Sequence, residues 1–104
     1  MKVNFEEAQK IVKEKVSDYL ERNAKSTGVP IEILFGEERE HVVNIGTSIM
    51  MNKLGFNTFP GSFVQAVLNN DLSGAFSRAD SINRQCLGFY ATMISNLGIN
   101  ISPE

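Results

Sequence analysis

The chain has 104 residues, of which 42% are hydrophobic and 21% are charged, and its formal net charge is −2. This size and composition predict one packed domain over residues 1–104. Because the chain has no excess of Lys and Arg, it is not expected to bind nucleic acid. Its one cysteine and one histidine argue against a metal site, and no other cofactor is expected. It has no apolar run of the ~20 residues that span a membrane, so no membrane association is expected.

The charge is distributed unevenly along the chain. Residues 1–41 contain 7 Lys or Arg and 9 Asp or Glu, whereas residues 42–104 contain 3 of each kind. A solvated surface normally carries about a quarter to a third charged residues. We therefore expect residues 42–104 to bury much of their surface against the N-terminal helix, another subunit or a ligand.

Residues 5–24 predict an amphipathic helix, because apolar residues recur at three- and four-residue steps and charged residues occupy the other face. Asn4 and Glu7 have the spacing of a capping box, which marks the start of this helix. A glycine and a proline then break it. The short apolar run at residues 31–35 is expected to be a strand or an extended segment packed on the core.

A second helix is predicted over residues 37–54, where apolar residues again recur at helical spacing. Gly55, followed by an apolar residue, is typical of a Schellman stop. Residues 57–70 are expected to hold a loop and a short third helix. Within this segment Ser62 and Gln65 have the spacing of a second capping box.

Residues 72–97 carry the strongest periodic pattern, and Asp71 before them is a natural N-cap. One heptad seam runs without interruption through Leu72, Phe76, Ala79, Asn83, Cys86, Tyr90, Met93 and Leu97. Asn83 is the polar exception in this seam. The four segments together predict an all-α fold of about four helices, of which the last, residues 72–97, is the longest.

The polar chemistry of the C-terminal stretch is concentrated in one segment. Its charged and amide residues are Asn70, Asp71, Arg78, Asp80, Asn83 and Arg84. An Arg forks onto phosphate, while an Asp or Asn binds a base edge or a ribose hydroxyl. Phe59, Phe63 or Tyr90 would stack a base. The segment therefore predicts a binding site for a phosphorylated or base-bearing small molecule.

The same residues also have a purely structural interpretation. Asn83 would fix helix register, as a single polar seam residue does in coiled coils. Arg78 and Asp80 would tie helices or subunits together. The sequence leaves both interpretations open.

The sequence gives no support to catalysis. Cys86 lies on the apolar seam, where a cysteine is usually an inert small hydrophobe. His41 is expected at the surface near the start of the second helix, and the acids beside it are those that the helix dipole favours. No phosphate-loop motif occurs. We therefore expect a protein that is not an enzyme.

Three motifs follow one another in order: Pro-Gly-x-Phe from Pro60, Ala-Val-Leu-x-Asn-Asp-Leu from Ala66, and Ala-x-x-x-Ala-Asp-x-x-Asn from Ala75. In these motifs the chain resembles a widespread family of small phage and prophage proteins, over roughly residues 55–97. The resemblance implies an all-α fold, a phage or prophage gene, and action in the cytoplasm of the bacterial host. The positions that match the family pattern include Asn70, Asp71, Ala79, Asp80 and Asn83.

Three functional hypotheses follow. The leading one is a homo-oligomeric binding protein that sequesters a nucleotide-like signalling molecule and so inhibits bacterial antiviral defence. Its ligand-binding residues would be Asn70, Asp71, Arg78, Asp80, Asn83, Arg84, Phe63 and Tyr90. The alternative is a protein–protein interaction module that binds and blocks a host factor. The third is a nucleotide-degrading enzyme.

Overall fold

A computed structural model describes residues 1–104. Seven helices and two short strands follow one another in the order β1 (Lys2–Val3), α1 (Phe5–Asn23), α2 (Ile31–Leu34), α3 (Arg39–Lys53), α4 (Ser62–Leu68), α5 (Leu72–Arg78), α6 (Ser81–Gln85), α7 (Leu87–Asn96) and β2 (Ser102–Pro103). The predominantly α-helical prediction is confirmed, but the helix count is seven and not about four. No helix combines the length and apolar character that crossing a bilayer requires.

Asn4 caps α1 as predicted, but Glu7 returns its bond to the Asn4 side chain and not to the Asn4 backbone N–H that a capping box uses. The Asn4 side chain accepts a hydrogen bond of 2.9 Å from the backbone N–H of Glu7, and its amide donates to the Glu7 carboxylate at 3.0 Å. The helix buries one stripe of apolar side chains, Ala8, Val12, Val16, Tyr19 and Leu20. At 19 residues α1 is the longest helix, so the prediction that the last helix is longest is wrong.

The prediction that residues 31–35 form a strand or an extended segment is wrong. These residues begin with the helical turn α2. Pro30 has φ −59°, and its carbonyl accepts from the N–H groups of Ile33 and Leu34. Because the proline has a helix-compatible φ and its carbonyl starts the turn, the short apolar run coils instead of extending.

The second long helix, α3, ends as the sequence predicts. Gly55 has φ +95°, its N–H donates to the Asn52 carbonyl, and the Phe56 N–H donates to the Met51 carbonyl. These are the two hydrogen bonds of a Schellman motif. Lys53 lies in the last turn and donates to the carbonyl of Ile94 in α7.

Helix α4 begins differently from the prediction. Its N-cap is Gly61 and makes no side-chain cap, while the Gln65 amide donates to the Pro60 carbonyl at 2.8 Å. The predicted capping box between Ser62 and Gln65 is therefore wrong. The helix ends at Leu68, and Asn70 just beyond its C-cap has φ +58°, the left-handed conformation that Asn tolerates.

The predicted continuous helix over residues 72–97 is broken into α5, α6 and α7. Ala79 is extended, with ψ 139°, and Asp80 caps α6 by accepting a hydrogen bond of 2.7 Å from the Asn83 N–H. Cys86, with φ −108°, separates α6 from α7. The heptad spacing survives the breaks, but Leu72 at its start is 75% exposed, so the seam is not one buried stripe.

The core is one cluster of 25 buried residues that joins all the larger helices. Helices α1 and α3 make the most extensive contact and run antiparallel, since Phe5 lies beside Phe56 while Arg39 donates to Ser17. Gly46 lies at their closest approach, where an added Cβ would come within 2.8 Å of Val16. At the ends of the chain, β1 and β2 pair in parallel.

Candidate functional site

Three of the predicted ligand residues, Phe63, Asn83 and Tyr90, lie in the core. The Tyr90 hydroxyl donates a hydrogen bond of 2.7 Å to the Asn83 side-chain oxygen, and the Phe63 ring meets Tyr90 edge-on at 5.8 Å. All three residues are buried. Asn83 and Tyr90 use their polar groups on each other, and Phe63 packs on Tyr90, so their positions do not support the prediction that they contact a ligand. The Asn83 side chain instead joins α6 to α7.

Burial also governs the two titratable groups beside this pair. Desolvation, and after it the negative charge of Asp80, raises the pKa of the Cys86 thiol to about 11. Desolvation, with smaller contributions from Cys86 and Asp80, raises the pKa of Tyr90 far above its usual value. At neutral pH Cys86 is therefore a protonated thiol, and a thiol reacts only as the thiolate.

Asp80 lies at the surface and uses its two carboxylate oxygens for different purposes. One caps α6, and the other is 3.0 Å from Nε2 of His41 on α3. Both side chains are partly exposed. His41 was expected at the surface, but its contact with Asp80 was not predicted. The two residues are 39 positions apart in the sequence, so no short-range pattern connects them.

Arg84 is also held by the protein itself. Its Nε donates to the Phe76 carbonyl at 3.2 Å, and its guanidinium lies 4.8 Å from the centre of the Phe76 ring. Phe76 is 52% exposed. The pair forms a cation–π contact on the outside of the α5–α6 break, where it is separate from the buried Asn83 and Tyr90.

Asn70 and Asp71 line a groove of about 200 Å³ between α4, α5 and α7. We call this the apolar groove. Its walls are mostly small or branched apolar residues: Ala66, Val67, Leu72, Ala75, Leu87, Ala91 and Ile94, with Ser95 at the edge. Asp71 is the single charged residue that lines it, and one of its oxygens caps α5 through the Gly74 N–H at 2.9 Å.

Arg78 is the cation nearest to Asp71 along α5. Its guanidinium lies against Gly74, where an added Cβ would be 2.7 Å from Nη1 and would also meet the Asp71 carboxylate. Gly74 is thus a glycine because two polar side chains occupy the space of a side chain. Of the eight predicted ligand residues, Asn70 and Asp71 line the apolar groove, and Arg78 approaches Asp71 at Gly74 without lining the groove. Asp80 and Arg84 lie elsewhere at the surface.

A second concavity has no counterpart in the sequence predictions. It lies between α1 and α3, has a volume of about 750 Å³, and is lined by Phe5, Glu6, Gln9, Lys10, Lys13, Asn44, Thr47, Ser48, Met51 and Thr58. We call it the polar cleft. The prediction for residues 5–24 placed Phe5 on the apolar face of the helix and Lys10 and Lys13 on its charged face, so it did not indicate a concavity that both faces border.

The structure brings no three His, Cys, Asp or Glu side chains together as a cluster that could hold a metal ion. The chain was compared with family models, with curated proteins and with solved structures, and none of the three comparisons gave a match.

Proposed function

We propose that this protein is a small binding module that docks an amphipathic helix of a partner protein in the apolar groove. The observation that carries the proposal is the apolar groove itself, in which 7 of 10 lining residues are hydrophobic and Leu72 at its edge is 75% exposed. Exposed apolar surface that is concave and rimmed by polar residues is typical of an interaction site.

A helix is the partner element that best matches the shape of the groove. Leu87, Ala91 and Ile94 line it from α7 at steps of four and three residues, which is the spacing that one helix presents to another. Ala91 is exposed in the middle of this face and allows a second backbone to approach closely. An amphipathic helix supplies apolar anchors at matching intervals.

The charge and size of the groove also indicate which kind of helix it would bind. A volume of about 200 Å³ accommodates a single large apolar side chain as the main anchor. Asp71, the charged residue of the lining, favours a helix that carries a Lys or Arg beside that anchor. The resemblance to small phage and prophage proteins supports a host protein in the bacterial cytoplasm as the partner, which docking would block.

Capture from bacterial lysate tests the proposal when wild type is compared with Ala91→Arg. Phe59→Ser is the matched control, because Phe59 is 85% exposed and lies outside the groove. We expect Ala91→Arg to lower the affinity for the captured partner by at least tenfold and Phe59→Ser to leave it unchanged. A peptide that contains only the docking helix of the partner should bind to the wild type. A partner that Ala91→Arg retains contradicts the proposal.

The predicted homo-oligomer is tested with the same variants. Light scattering of the wild type measures its mass in solution. Conversion of an oligomer to a monomer by Ala91→Arg would mean that a second copy covers the apolar groove, and this result would count against docking of a foreign helix.

A second candidate is capture of a nucleotide-like ligand, which would antagonise antiviral signalling. The observation that favours it is that Asn70 and Asp71 line the same groove, while the guanidinium of Arg78 lies near the Asp71 carboxylate at Gly74. Asn70 and Asp71 would bind a base edge, and Arg78 would bind phosphate. Calorimetric titration with cyclic and ADP-ribose-type nucleotides tests it, with Arg78→Ala expected to abolish the heat and Arg22→Ala to preserve it. Absence of heat from folded protein contradicts this candidate.

The third hypothesis, a nucleotide-degrading enzyme, depends on one observation. The His41–Asp80 pair has the geometry in which a carboxylate orients a general base. Turnover of a nucleotide by the purified protein, abolished by Asp80→Asn, would support this hypothesis.

A further inference from the structure

The polar cleft between α1 and α3 differs in chemistry from the apolar groove and shares no lining residue with it. Of its 10 lining residues 2 are hydrophobic. Its volume of about 750 Å³ is within the range of about 300–1,000 Å³ in which small-molecule sites fall. The cleft is therefore large enough for a ligand and polar enough to orient one.

The helices build this cleft from two parallel rows of side chains. Phe5, Gln9 and Lys13 follow one another at four-residue steps on α1, directly beside the buried stripe of that helix. Asn44 and Ser48 repeat the same step on α3. Because the two helices pack tightly through Gly46, the rows are held at fixed separation along the seam.

Several polar groups in this cleft have no partner within the protein. The side chains of Gln9, Lys10, Asn44 and Ser48 make no hydrogen bond, and Lys10 has no carboxylate within 4.0 Å. Thr47 differs, because its hydroxyl donates to the Val43 carbonyl at 2.7 Å. Free amide, hydroxyl and ammonium groups thus face one concavity.

The polar cleft contains one cation that has no ion-pair partner and can bind an anion. Lys10 and Lys13 line it together with one acid, Glu6. Lys13 also pairs at 2.6 Å with Glu40, which lies outside the lining and fixes the lysine in place. Lys10 is the unpaired cation, and an ammonium group that has no carboxylate partner is a ready donor to phosphate.

An aromatic surface borders the same charged groups. Phe5 is 42% exposed, and its ring is fixed edge-on against Phe56 with centroids 6.5 Å apart. A ring that is held by an internal contact and is still open on one side can stack against a planar ligand. Phe5 and Lys10 both belong to the first two turns of α1.

We propose that the polar cleft binds a phosphorylated small molecule that carries a planar ring, with Lys10 on the phosphate, Phe5 against the ring, and Gln9 and Asn44 donating to its polar groups. A nucleoside monophosphate has this chemistry. The site is independent of the helix-docking function, because the two surfaces have different residues.

Titration with AMP, ribose 5-phosphate and adenosine tests the proposal. AMP is expected to bind, ribose 5-phosphate about fivefold or more weakly because it lacks the ring, and adenosine about tenfold or more weakly because it lacks the phosphate. In NMR spectra the side-chain amide signals of Gln9 and Asn44 should shift with AMP. Absence of AMP binding by folded protein overturns the proposal.

Variants on one helix separate the cleft from general surface charge. Lys10→Gln should lower the affinity for AMP about tenfold. Lys15 is also exposed on α1 but lies outside the cleft, so Lys15→Gln should leave AMP binding unchanged. Phe5→Leu should weaken AMP about fivefold and leave ribose 5-phosphate unchanged. Equal affinity of the two lysine variants, or loss of AMP binding in Arg78→Ala instead, would overturn the proposal.

Discussion

The hydroxyl of Tyr90 and the side-chain oxygen of Asn83 form a hydrogen bond of 2.7 Å inside the core, where both residues are buried. Every buried side-chain polar atom of the protein has a hydrogen-bond partner. Removing one member of such a pair leaves the other buried without a hydrogen-bond partner. A substitution of one member is therefore expected to lower the free energy of unfolding more than a replacement of both by apolar residues.

Tyr90→Phe is expected to lower the free energy of unfolding by about 1–3 kcal/mol, because the Asn83 oxygen loses its donor. Adding Asn83→Leu should recover part of this loss, since the Asn83 backbone N–H keeps its bond to Asp80. Urea unfolding of the wild type, both single variants and the double variant measures the coupling. Additive losses in the four proteins would contradict the role assigned to the pair.

Asp80 variants separate the cap of α6 from the contact with His41. Asp80→Ala should lower the free energy of unfolding by about 1–2 kcal/mol, because the N-cap is lost. Asp80→Asn should cost less, because Asn also caps helices, and His41→Gln should cost less than about 1 kcal/mol because the pair is exposed. Thermal unfolding compares the three. A loss in His41→Gln as large as that in Asp80→Ala would contradict this division.

Stability is expected to fall as the pH rises above about 9. The pKa of Cys86 is raised from 9.0 in the unfolded chain to about 11 in the fold, and that of Tyr90 is raised as well. The unfolded chain therefore loses protons that the folded chain retains. The stabilisation that comes from Cys86 is complete below pH 9 and is lost between about 9 and 11. Each such group contributes up to about 1.4 kcal/mol per pH unit.

Urea unfolding between pH 8 and 11 measures this dependence, and Cys86→Ala should make it shallower between pH 9 and 11. Labelling by a thiol reagent offers an independent check. At pH 8 the folded protein should react far more slowly than the protein in urea, because Cys86 is buried and protonated. Equal labelling rates in the two states would contradict the burial of the thiol.

Gly46→Ala is expected to destabilise the contact between α1 and α3. The new methyl group would lie 2.8 Å from the β-branched Val16, and overpacking of this kind costs about 1–3 kcal/mol against a gain of about 1 kcal/mol in helix propensity. Adding Val16→Ala should restore room for the methyl group. Gly98→Ala is the control, because nothing lies within 4 Å of a Cβ there. Greater stability of Gly46→Ala would contradict the close packing.

Features that depend on a few adjacent residues were predictable from the sequence. The cap by Asn4, the stop at Gly55 and the cap by Asp71 all form as expected. Each involves residues no more than five positions apart, so the same local hydrogen bonds form wherever the segment lies in the fold. The predominantly helical character follows from the same local patterns.

The broken C-terminal helix shows where periodicity misleads. The heptad spacing from Leu72 to Leu97 is compatible with one helix, but Asp80 offers its carboxylate to the Asn83 N–H and starts a new helix there. A side chain that competes for backbone hydrogen bonds can end a helix without disturbing the spacing of apolar residues. The sequence contained both signals, and only the position of Asp80 in the fold shows which one prevails.

Local sequence was thus sufficient for the helical class, for the ends of the two long helices α1 and α3, and for the inert environment of Cys86. Tertiary packing decided what the polar residues do. It paired His41 with Asp80, buried Asn83 against Tyr90, placed Asn70 and Asp71 in the lining of the apolar groove, and brought Lys10 and Asn44 to one cleft. These contacts join residues on different helices, and their formation depends on how the helices pack, which the spacing along a single helix does not encode.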